Sequence, residues 1–360
     1  MRSDVLIVDP YASEPYSLAK MEEAGLGGAE RCVVTIAEGL DCPVLQYSRK
    51  SVDGRYQPVS YDYDPDSIIV LRDPEQAVVW ADRYPNAKVF LWTHDHFIPG
   101  NQKHAALVKW FVQLMDRKIT IVAVSEFHAE QIRQVTGSGR DNAYIRVIFN
   151  PVVPPERSES SDYDKDKLIF FSTPYKAKNI VEAFQWMRRR TPSLRLFVAM
   201  PQYADRPVAS YPGIVDMGKL PHSKLLPETA SSLCTFCPNF EFPETFGLVF
   251  AESHAVGTPV IAHDVGAAME VVGSREQVLS VPSVIPFALK FRYRMPEASA
   301  FLASALSRQL NFRRYEDLVM RWRNGSRPIV ALREEFSLDS VLDTWWLHLG
   351  QPSKSAFKLG

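Results

Sequence analysis

The chain has 360 residues, of which 46% are hydrophobic and 23% charged, a composition typical of a globular protein rather than of a disordered or fibrous one. This length exceeds what one hydrophobic core usually organises, so it predicts two domains with a cleft between them. The formal net charge is −1, from 41 basic and 42 acidic side chains, which excludes the strong positive field of many nucleic-acid binders.

The N-terminal residues reach Asp4 and Pro10 too soon to form a signal peptide, and no apolar run approaches the length of a membrane span. We therefore expect a cytoplasmic protein with reduced cysteines. The spacing of Cys234 and Cys237 admits a zinc site. Because no second Cys or Cys/His pair stands at ligand spacing, buried thiols beside a strand are favoured and no metal is predicted.

The first half of the chain alternates between apolar runs and segments with helical spacing. Val5–Val8 predicts a strand, and a loop over Asp9–Gly28 then leads into a helix that begins AERC. Further strands are predicted at Ser67–Leu71, Lys88–Trp92, Ile119–Val124 and Ile145–Phe149. Such alternation is what a parallel sheet with crossover helices requires.

A helix is predicted over 103–118. It carries four large apolar residues flanked by basic ones, namely Leu107, Trp110, Phe111 and Leu114 beside Lys109, Arg117 and Lys118. Packing in the core is the favoured interpretation. Peripheral contact with an anionic membrane is the alternative.

The segment PVVPPERSESSDYDKDK is too rich in proline, serine and charge to pack, so it predicts a linker. Two Asp-Tyr-Asp triplets, at 62–64 and 162–164, have the Asp-x-Asp spacing of a metal-binding motif, but we expect them in turns or in this linker. Strand and helix signals restart after it, and a final helix over Leu338–Leu349 carries a broad apolar face. The predicted organisation is an N-terminal domain over 1–152, a linker over 153–166, a C-terminal domain over 167–335, and a terminal helix over 336–360 that packs back on the first domain.

Two loops lie where open α/β sheets bind ligands, beyond the carboxyl ends of strands and before a helix. In the first, glycines at Gly25–Gly28 allow a ligand close to the backbone, although the pattern departs from the dinucleotide fingerprint. In the second, Glu244 precedes a helix predicted to begin near Gly247, and Glu252 lies about 1.5 turns inside it. Carboxylates suit vicinal hydroxyls, and helix amides suit a diphosphate. A glutamate that complements the helix dipole, with a second on the surface, is the simpler alternative.

The segment PETFGLVFAESHAVGTPVIA resembles the E-x7-E signature of retaining glycosyltransferases of family 4, and Gly27–Arg31 matches the N-terminal glycine loop of that family. The resemblance implies the GT-B fold, an α/β architecture of two Rossmann-like, doubly wound domains facing a cleft. It places Glu244 beside the donor sugar as a catalytic residue and Glu252 on the nucleotide ribose. It assigns the donor diphosphate to Gly27, Gly28, Phe246, Gly247 and Leu248.

The same resemblance places basic side chains on the diphosphate from the loop that holds Lys176 and Lys178. Many relatives have Gly-Arg and Lys-Gly pairs here, so which lysine meets which phosphate stays open. The resemblance also implies that His94 contacts the sugar or acts in catalysis, and an ordinary loop histidine is the alternative. His96 need not converge with His94, since alternate residues of an extended segment point to opposite sides. The nucleotide base is expected near Met200, Met217, Gly218 and Leu220.

The sequence thus predicts a retaining, metal-independent glycosyltransferase, a hexosyl or pentosyl transferase of glycan biosynthesis. Its donor would be a nucleotide-diphosphate sugar, UDP- or GDP-linked, used as co-substrate without a further cofactor. The acceptor would be a hydroxyl of a glycan, a glycolipid or a small molecule. Another GT-B enzyme, such as a nucleotide-sugar epimerase or a phosphorylase, and a noncatalytic nucleotide-sugar-binding subunit are the alternatives.

Overall fold

The computed structural model describes residues 4–12, 14–24, 26–48, 54–155, 162–173, 177–200, 211–239, 242–280 and 310–350, without the side chains of 177–179. Contacts divide the chain into two compact units. The first comprises Met1–Val153, Glu244–Leu248 and Arg333–Gly360, and the second comprises Pro154–Pro243 and Val249–Leu332.

Within the described part of the first unit lies a seven-stranded sheet of order β3-β2-β1-β4-β5-β6-β7. The strands are β1 (Val5–Asp9), β2 (Val44–Gln46), β3 (Tyr56–Pro58), β4 (Ser67–Leu71), β5 (Lys88–Trp92), β6 (Thr120–Ala123) and β7 (Ile145–Val147). All pairs are parallel, and the direction in which strands are added reverses between β1 and β4. This is the doubly wound order, in which the crevice at the reversal binds ligands.

Helices cover this sheet. They are α1 (Leu18–Ala24), α2 (Gly28–Leu40), α3 (Pro74–Arg83), α4 (Gln102–Asp116) and α5 (Glu126–Thr136). Because helices lie on both faces, β1 and β4 are buried at every residue, which is why they read as continuous apolar runs. Three of the helices begin at a side chain that caps them, Asp73 for α3, Asn101 for α4 and Ser125 for α5.

Helix α4 packs as a core helix. Leu107 and Leu114 are buried, and Trp110 and Phe111 pack against the same cluster. The large apolar side chains of α4 that are exposed are instead Val108 and Val112. Of the four apolar residues, two are thus buried and two pack on the core while partly exposed, and peripheral membrane contact stays a prediction. Of the helices in the described ranges, none combines the length and apolar character that crossing a bilayer requires.

The described second unit contains a six-stranded parallel sheet of order β10-β9-β8-β11-β12-β13. The strands are β8 (Asp164–Phe171), β9 (Arg195–Met200), β10 (Ile214–Lys219), β11 (Ser232–Phe236), β12 (Val260–His263) and β13 (Val278–Leu279). Its helices are α6 (Ala177–Arg188), α7 (His222–Ala230), α8 (Leu248–Ala255), which starts at the last residue of the segment grouped with the first unit, α9 (Ala268–Val272) and α10 over 310–321. The order repeats that of the first six strands of the other sheet.

The C-terminal helix α11 (Leu338–Leu349) returns to the first unit, as predicted. The ring of Trp345 packs edge-on against Trp92, with centroids 5.4 Å apart. Lys88 Nζ donates to the carbonyl of Leu349 at 3.2 Å. Burial of the apolar face found in the sequence thus attaches the end of the chain to β5.

Two expectations about the chain need correction. The loop over Asp9–Gly28 contains α1, and the range assigned to the linker ends in strand β8, which begins at Asp164. Arg195 pairs with Asp164 and Arg323 pairs with Asp166. These arginines neutralise the carboxylates, so a segment that looked too charged to pack forms a strand.

We predict that stability falls as the pH drops from 6.5 to 5, partly because His263 is buried. Burial, with the positive charge of Arg314, lowers the pKa of His263 to about 4. The unfolded chain then binds a proton that the folded chain does not, so the stabilisation present above pH 6.5 decreases by about 2 kcal/mol at pH 5. Chemical denaturation at pH 7 and pH 5 measures this loss. His263→Gln should show a correspondingly smaller loss, and an equal loss in the variant would contradict the assignment.

Candidate functional site

His94 lies just beyond the carboxyl end of β5. Its ring packs on Trp92, with centroids 4.7 Å apart, and its Nε2 atom is buried without a hydrogen-bond partner in the described structure. Burial, reinforced by the positive charge of Arg72, holds the pKa of His94 well below its usual value. The imidazole is therefore neutral. The Nδ1 atom of His96 lies 2.8 Å from Gln131 Oε1, whereas the ring of His94 packs on Trp92, so the two histidines have different surroundings.

Thr245, the residue after Glu244, is hydrogen-bonded to the loop that carries His94. Its Oγ1 atom donates to the carbonyl of His94 at 3.1 Å. Its own carbonyl accepts a hydrogen bond from Ser125 Oγ at the start of α5. The structure therefore brings the partly exposed Glu244 segment to His94, although 150 residues separate them in sequence. The sequence predicts this segment within the C-terminal domain, whereas its contacts group Glu244–Leu248 with the first unit.

The residues after Thr245 are a buried aromatic residue and a turn that requires glycine. Phe246 is buried against Phe336, with ring centroids 5.2 Å apart, so only its backbone can face a ligand. Gly247 has φ +89°, a left-handed conformation that other residues adopt only with strain. This turn leads into α8 at Leu248, one residue after the predicted start.

The two loops assigned to the diphosphate meet at Gly28 and Leu248. A Cβ atom added at Gly28 would lie 3.0 Å from Leu248 Cδ1, so the absence of a side chain permits this approach. Gly27 is the N-cap of α2 and has no side chain to cap it, so the first backbone amides of that helix have no capping side chain from this position and could donate to a ligand. The structure thus brings two predicted phosphate-binding helix starts together within the first unit.

Four charged residues that no sequence motif predicted lie near the ends of β1, β4 and β5, where the strand order reverses. We call Glu30, Arg72, Asp95 and Lys103 the switch-point cluster. Arg72 Nε lies 3.5 Å and Lys103 Nζ 3.4 Å from Asp95 Oδ2, and Arg72 Nη1 lies 3.7 Å from Glu30 Oε1. Arg72 also has φ +66°, which is rare outside glycine and often marks functional sites. Its place directly after the apolar run Ser67–Leu71 was the available signal.

In the second unit, Glu252 is the fifth residue of α8 and only 4% exposed. Its Oε1 atom lies 3.3 Å from Nε2 of His222, the first residue of α7. A polar group beside a buried carboxylate is favourable, because desolvation penalises an isolated charge. His222 was not predicted from the sequence, although it stands only two residues after Leu220.

The residues assigned to the nucleotide base lie at the carboxyl ends of two neighbouring strands. Met200 ends β9 and is paired in register with Lys219 of β10. The register shifts between Asp216 and Gly218, which places Met217 in a bulge. Leu220 follows directly. The predicted base region is therefore brought together at one sheet edge, and its contact with a base stays a prediction.

The predicted phosphate-binding lysines are placed only in part. Lys176 lies outside the described residues, and Lys178 is in the first turn of α6 with its side chain outside the description. Cys234 and Cys237 are buried free thiols, as expected. Among the residues that the structure describes, no group of three or more His, Cys, Asp and Glu side chains could hold a metal ion.

Residues 216–290 match the family model described as glycosyl transferases group 1. The match begins within β10, continues through β13 and includes both Glu244 and Glu252. No curated protein sequence matches the chain.

Several solved structures resemble the whole chain. HepE of Anabaena, solved in complex with UDP and glucose, is 14% identical over 97% of this chain and 100% of its own, with a TM-score of 0.57. Sucrose-phosphate synthase of Thermosynechococcus elongatus is 16% identical over 99% and 100%, with a TM-score of 0.56. A glycosyltransferase of Rickettsia africae is 15% identical over 96% and 97%, with a TM-score of 0.55. The predicted fold class is confirmed: the chain has the two-sheet α/β fold of GT-B glycosyltransferases, and residues 216–290 carry the group 1 match.

Proposed function

We propose that the chain is a retaining glycosyltransferase, hexosyl or pentosyl, that moves a sugar from a nucleotide-diphosphate sugar to an acceptor hydroxyl. The observation that carries the proposal is the hydrogen bond from Thr245 Oγ1 to the carbonyl of His94. It holds the segment of Glu244, which lies in the region matching the group 1 model, beside a neutral histidine at the end of a parallel strand. That arrangement suits a sugar, which offers hydroxyls to both groups.

Glu244 and His94 would act on the donor sugar. Positive charge grows on the sugar ring as the glycosidic bond breaks, and a carboxylate at the ring stabilises that charge. The lowered pKa of His94 matters here, because a protonated imidazole would repel the same charge. Glu244 would also accept hydrogen bonds from the sugar hydroxyls.

The leaving diphosphate gains negative charge as the bond breaks. Backbone amides at the starts of α2 and α8, from Gly28 and Leu248 onward, would donate to it, helped by the positive end of each helix dipole. Lys176 and Lys178 would supply full positive charges. With these groups the proposed reaction needs no metal ion.

Glu252 would accept hydrogen bonds from the ribose hydroxyls, with His222 beside its carboxylate. Met200 and Gly218 lie at the sheet edge where the base is proposed to bind. Uracil leads among the candidate bases because HepE was solved with UDP, and guanine is the alternative.

Retention of configuration requires the acceptor to attack on the face that the diphosphate leaves. The bond from the anomeric carbon to the phosphate oxygen breaks, and a bond from that carbon to the acceptor oxygen forms. A departing phosphate oxygen takes the acceptor proton, so no protein nucleophile is needed. The switch-point cluster would hold the acceptor, a glycan, lipid or small molecule, because its carboxylates and cations bind hydroxyls from several directions.

A thermal-shift panel of UDP-glucose, UDP-N-acetylglucosamine and GDP-mannose, followed by assay of donor hydrolysis with and without EDTA, tests the proposal. We expect one sugar nucleotide to raise the melting temperature, because a ligand that binds only the folded state stabilises it. We expect slow release of free sugar from that donor, unchanged by EDTA.

The outcomes separate the alternatives. Interconversion of the donor sugar without acceptor would indicate an epimerase, and sugar phosphate formed with inorganic phosphate would indicate a phosphorylase. Binding without any turnover would indicate a noncatalytic subunit. No shift with any of the three sugar nucleotides would count against donor binding itself.

A further inference from the structure

The side chain of Ser125 makes two hydrogen bonds in the described part of the structure, and one of them reaches outside its own helix. Its Oγ atom accepts from the backbone N–H of His128 at 3.0 Å, which caps α5. The same Oγ donates to the carbonyl of Thr245. A hydroxyl has one proton and two lone pairs, so it can do both at once. Capping needs only the lone pair, and the proton is left to hold a residue 120 positions away.

Thr245 links the two residues that are proposed to contact the sugar, Glu244 and His94. Its carbonyl is held by Ser125, and its Oγ1 donates to the carbonyl of His94 at 3.1 Å. Glu244 precedes it directly in the chain. A shift of Thr245 would therefore move Glu244 and His94 relative to each other.

A second link holds the His94 loop from the same helix start. His128 is fully buried, and its Nδ1 accepts from the N–H of Val124 at 3.3 Å. The opposite nitrogen, Nε2, must then carry the proton, and it donates to the carbonyl of Asp95 at 2.9 Å. The ring stacks on Phe97, with centroids 5.6 Å apart and planes 14° from parallel. The start of α5 thus fixes the His94 loop and the Glu244 segment together.

We propose that Ser125 and Thr245 are positioning residues for the sugar-transfer step, which hold Glu244 and His94 in their reactive geometry without touching the substrate. The inference rests on the proposed function. Its physical basis is that a displacement of about 1 Å at a reacting group can cost on the order of 100-fold in rate. Both hydroxyls are in use on the backbone of the loops themselves, so removing one shifts a loop rather than a ligand contact.

Thr245→Val tests the Thr245 bond, because valine keeps the shape and loses the hydroxyl. We expect kcat for transfer, or for donor hydrolysis, to fall about 10- to 100-fold, with the Kd for UDP and the KM for the sugar nucleotide within about threefold of wild type. Thr245→Ser keeps the hydroxyl and should retain most of the wild-type kcat. A split between kcat and KM, with rescue by serine, is not expected of a residue that only stabilises the fold.

Ser125→Ala removes both side-chain bonds, so it needs a control that loses a helix cap without losing a bond to the Glu244 segment. Ser337 supplies one, because its Oγ caps α11 by accepting from the N–H of Ser340 at 3.3 Å and otherwise bonds near the same helix start, to Ser340 Oγ at 3.0 Å and Glu334 Oε1 at 3.3 Å. We expect Ser125→Ala and Ser337→Ala to lower the melting temperature by similar amounts. Only Ser125→Ala should lower kcat, by about tenfold.

The inference is overturned if Thr245→Val turns over like wild type, if Thr245→Ser is as impaired as Thr245→Val, or if Ser337→Ala lowers kcat as much as Ser125→Ala. A wild-type protein without transfer or hydrolysis would remove the proposed function, and this inference with it. Wild-type activity with unaffected variants would remove the inference alone.

Discussion

Replacement of Glu244 by glutamine is expected to lower kcat by at least about 100-fold, equivalent to about 3 kcal/mol of transition-state stabilisation. The residue next to it is fixed by the hydrogen bonds of Thr245 to His94 and from Ser125, so the side chain starts from a defined place. Glutamine keeps the size and the acceptor oxygen but loses the negative charge. The loss should therefore appear where positive charge develops, in kcat rather than in donor binding.

Transfer kinetics and UDP binding, measured side by side, check this expectation. Glu130→Gln is a matched control, because Glu130 lies on α5 in ion pairs with Arg133 and Arg140 on the protein surface. It removes one negative charge from the first unit without touching the candidate site. Full activity in Glu244→Gln would show that this carboxylate does not act on the sugar, whatever the activity of the control.

Replacement of Glu252 by alanine is expected to weaken binding of UDP by about 100-fold, because hydrogen bonds to a charged group contribute about 1.5–3 kcal/mol each. The carboxylate is 4% exposed and lies 3.3 Å from His222 Nε2, so it would meet the two ribose hydroxyls from a defined place in the fold. The effect should differ from that at Glu244. Here the Kd for the nucleotide should rise most, since the ribose takes no part in the bond that breaks.

Because Glu252 is buried, alanine also leaves a cavity, and a folding defect must be separated from a binding defect. Glu252→Gln fills the same volume without the charge and should weaken UDP binding in the same direction. Titration calorimetry with UDP, together with the melting temperature of each variant, makes the separation. Wild-type affinity in a folded Glu252→Gln protein would contradict only a role for the charge, and wild-type affinity in both variants would remove Glu252 from the nucleotide site.

Much of the fold could be predicted because parallel strands covered on both faces must be apolar along their whole length. Ser67–Leu71 and Lys88–Trp92 have in the structure the bounds that the apolar runs indicate. The terminal helix was also predictable, since its apolar face requires a partner. These are local properties of the sequence, and they can be recognised without knowing which distant residues pack nearby.

The strands that could not be predicted are short or lie toward a sheet edge. Val44–Gln46 and Tyr56–Pro58 have three residues each, too few to show a period, and Ile214–Lys219 at the outer edge of its sheet contains a glycine and a bulge. Strand β8 begins with alternating charges at Asp164 that arginines from distant segments neutralise. Their pairing partners make them strands, and those partners are far away in sequence.

By itself the sequence determined two α/β halves, the apolar runs of their strands, and the loops at strand ends where Glu244, Glu252 and His94 stand. Periodicity and the position of a loop after a strand are recognised within about ten residues, so a single sequence is enough to predict them. The tertiary structure decided what those loops touch. It grouped Glu244–Leu248 with the first unit, joined Thr245 to His94 and Ser125, and gathered the switch-point cluster. Hydrogen bonds between residues more than 100 positions apart depend on strand order and register, which no local pattern specifies.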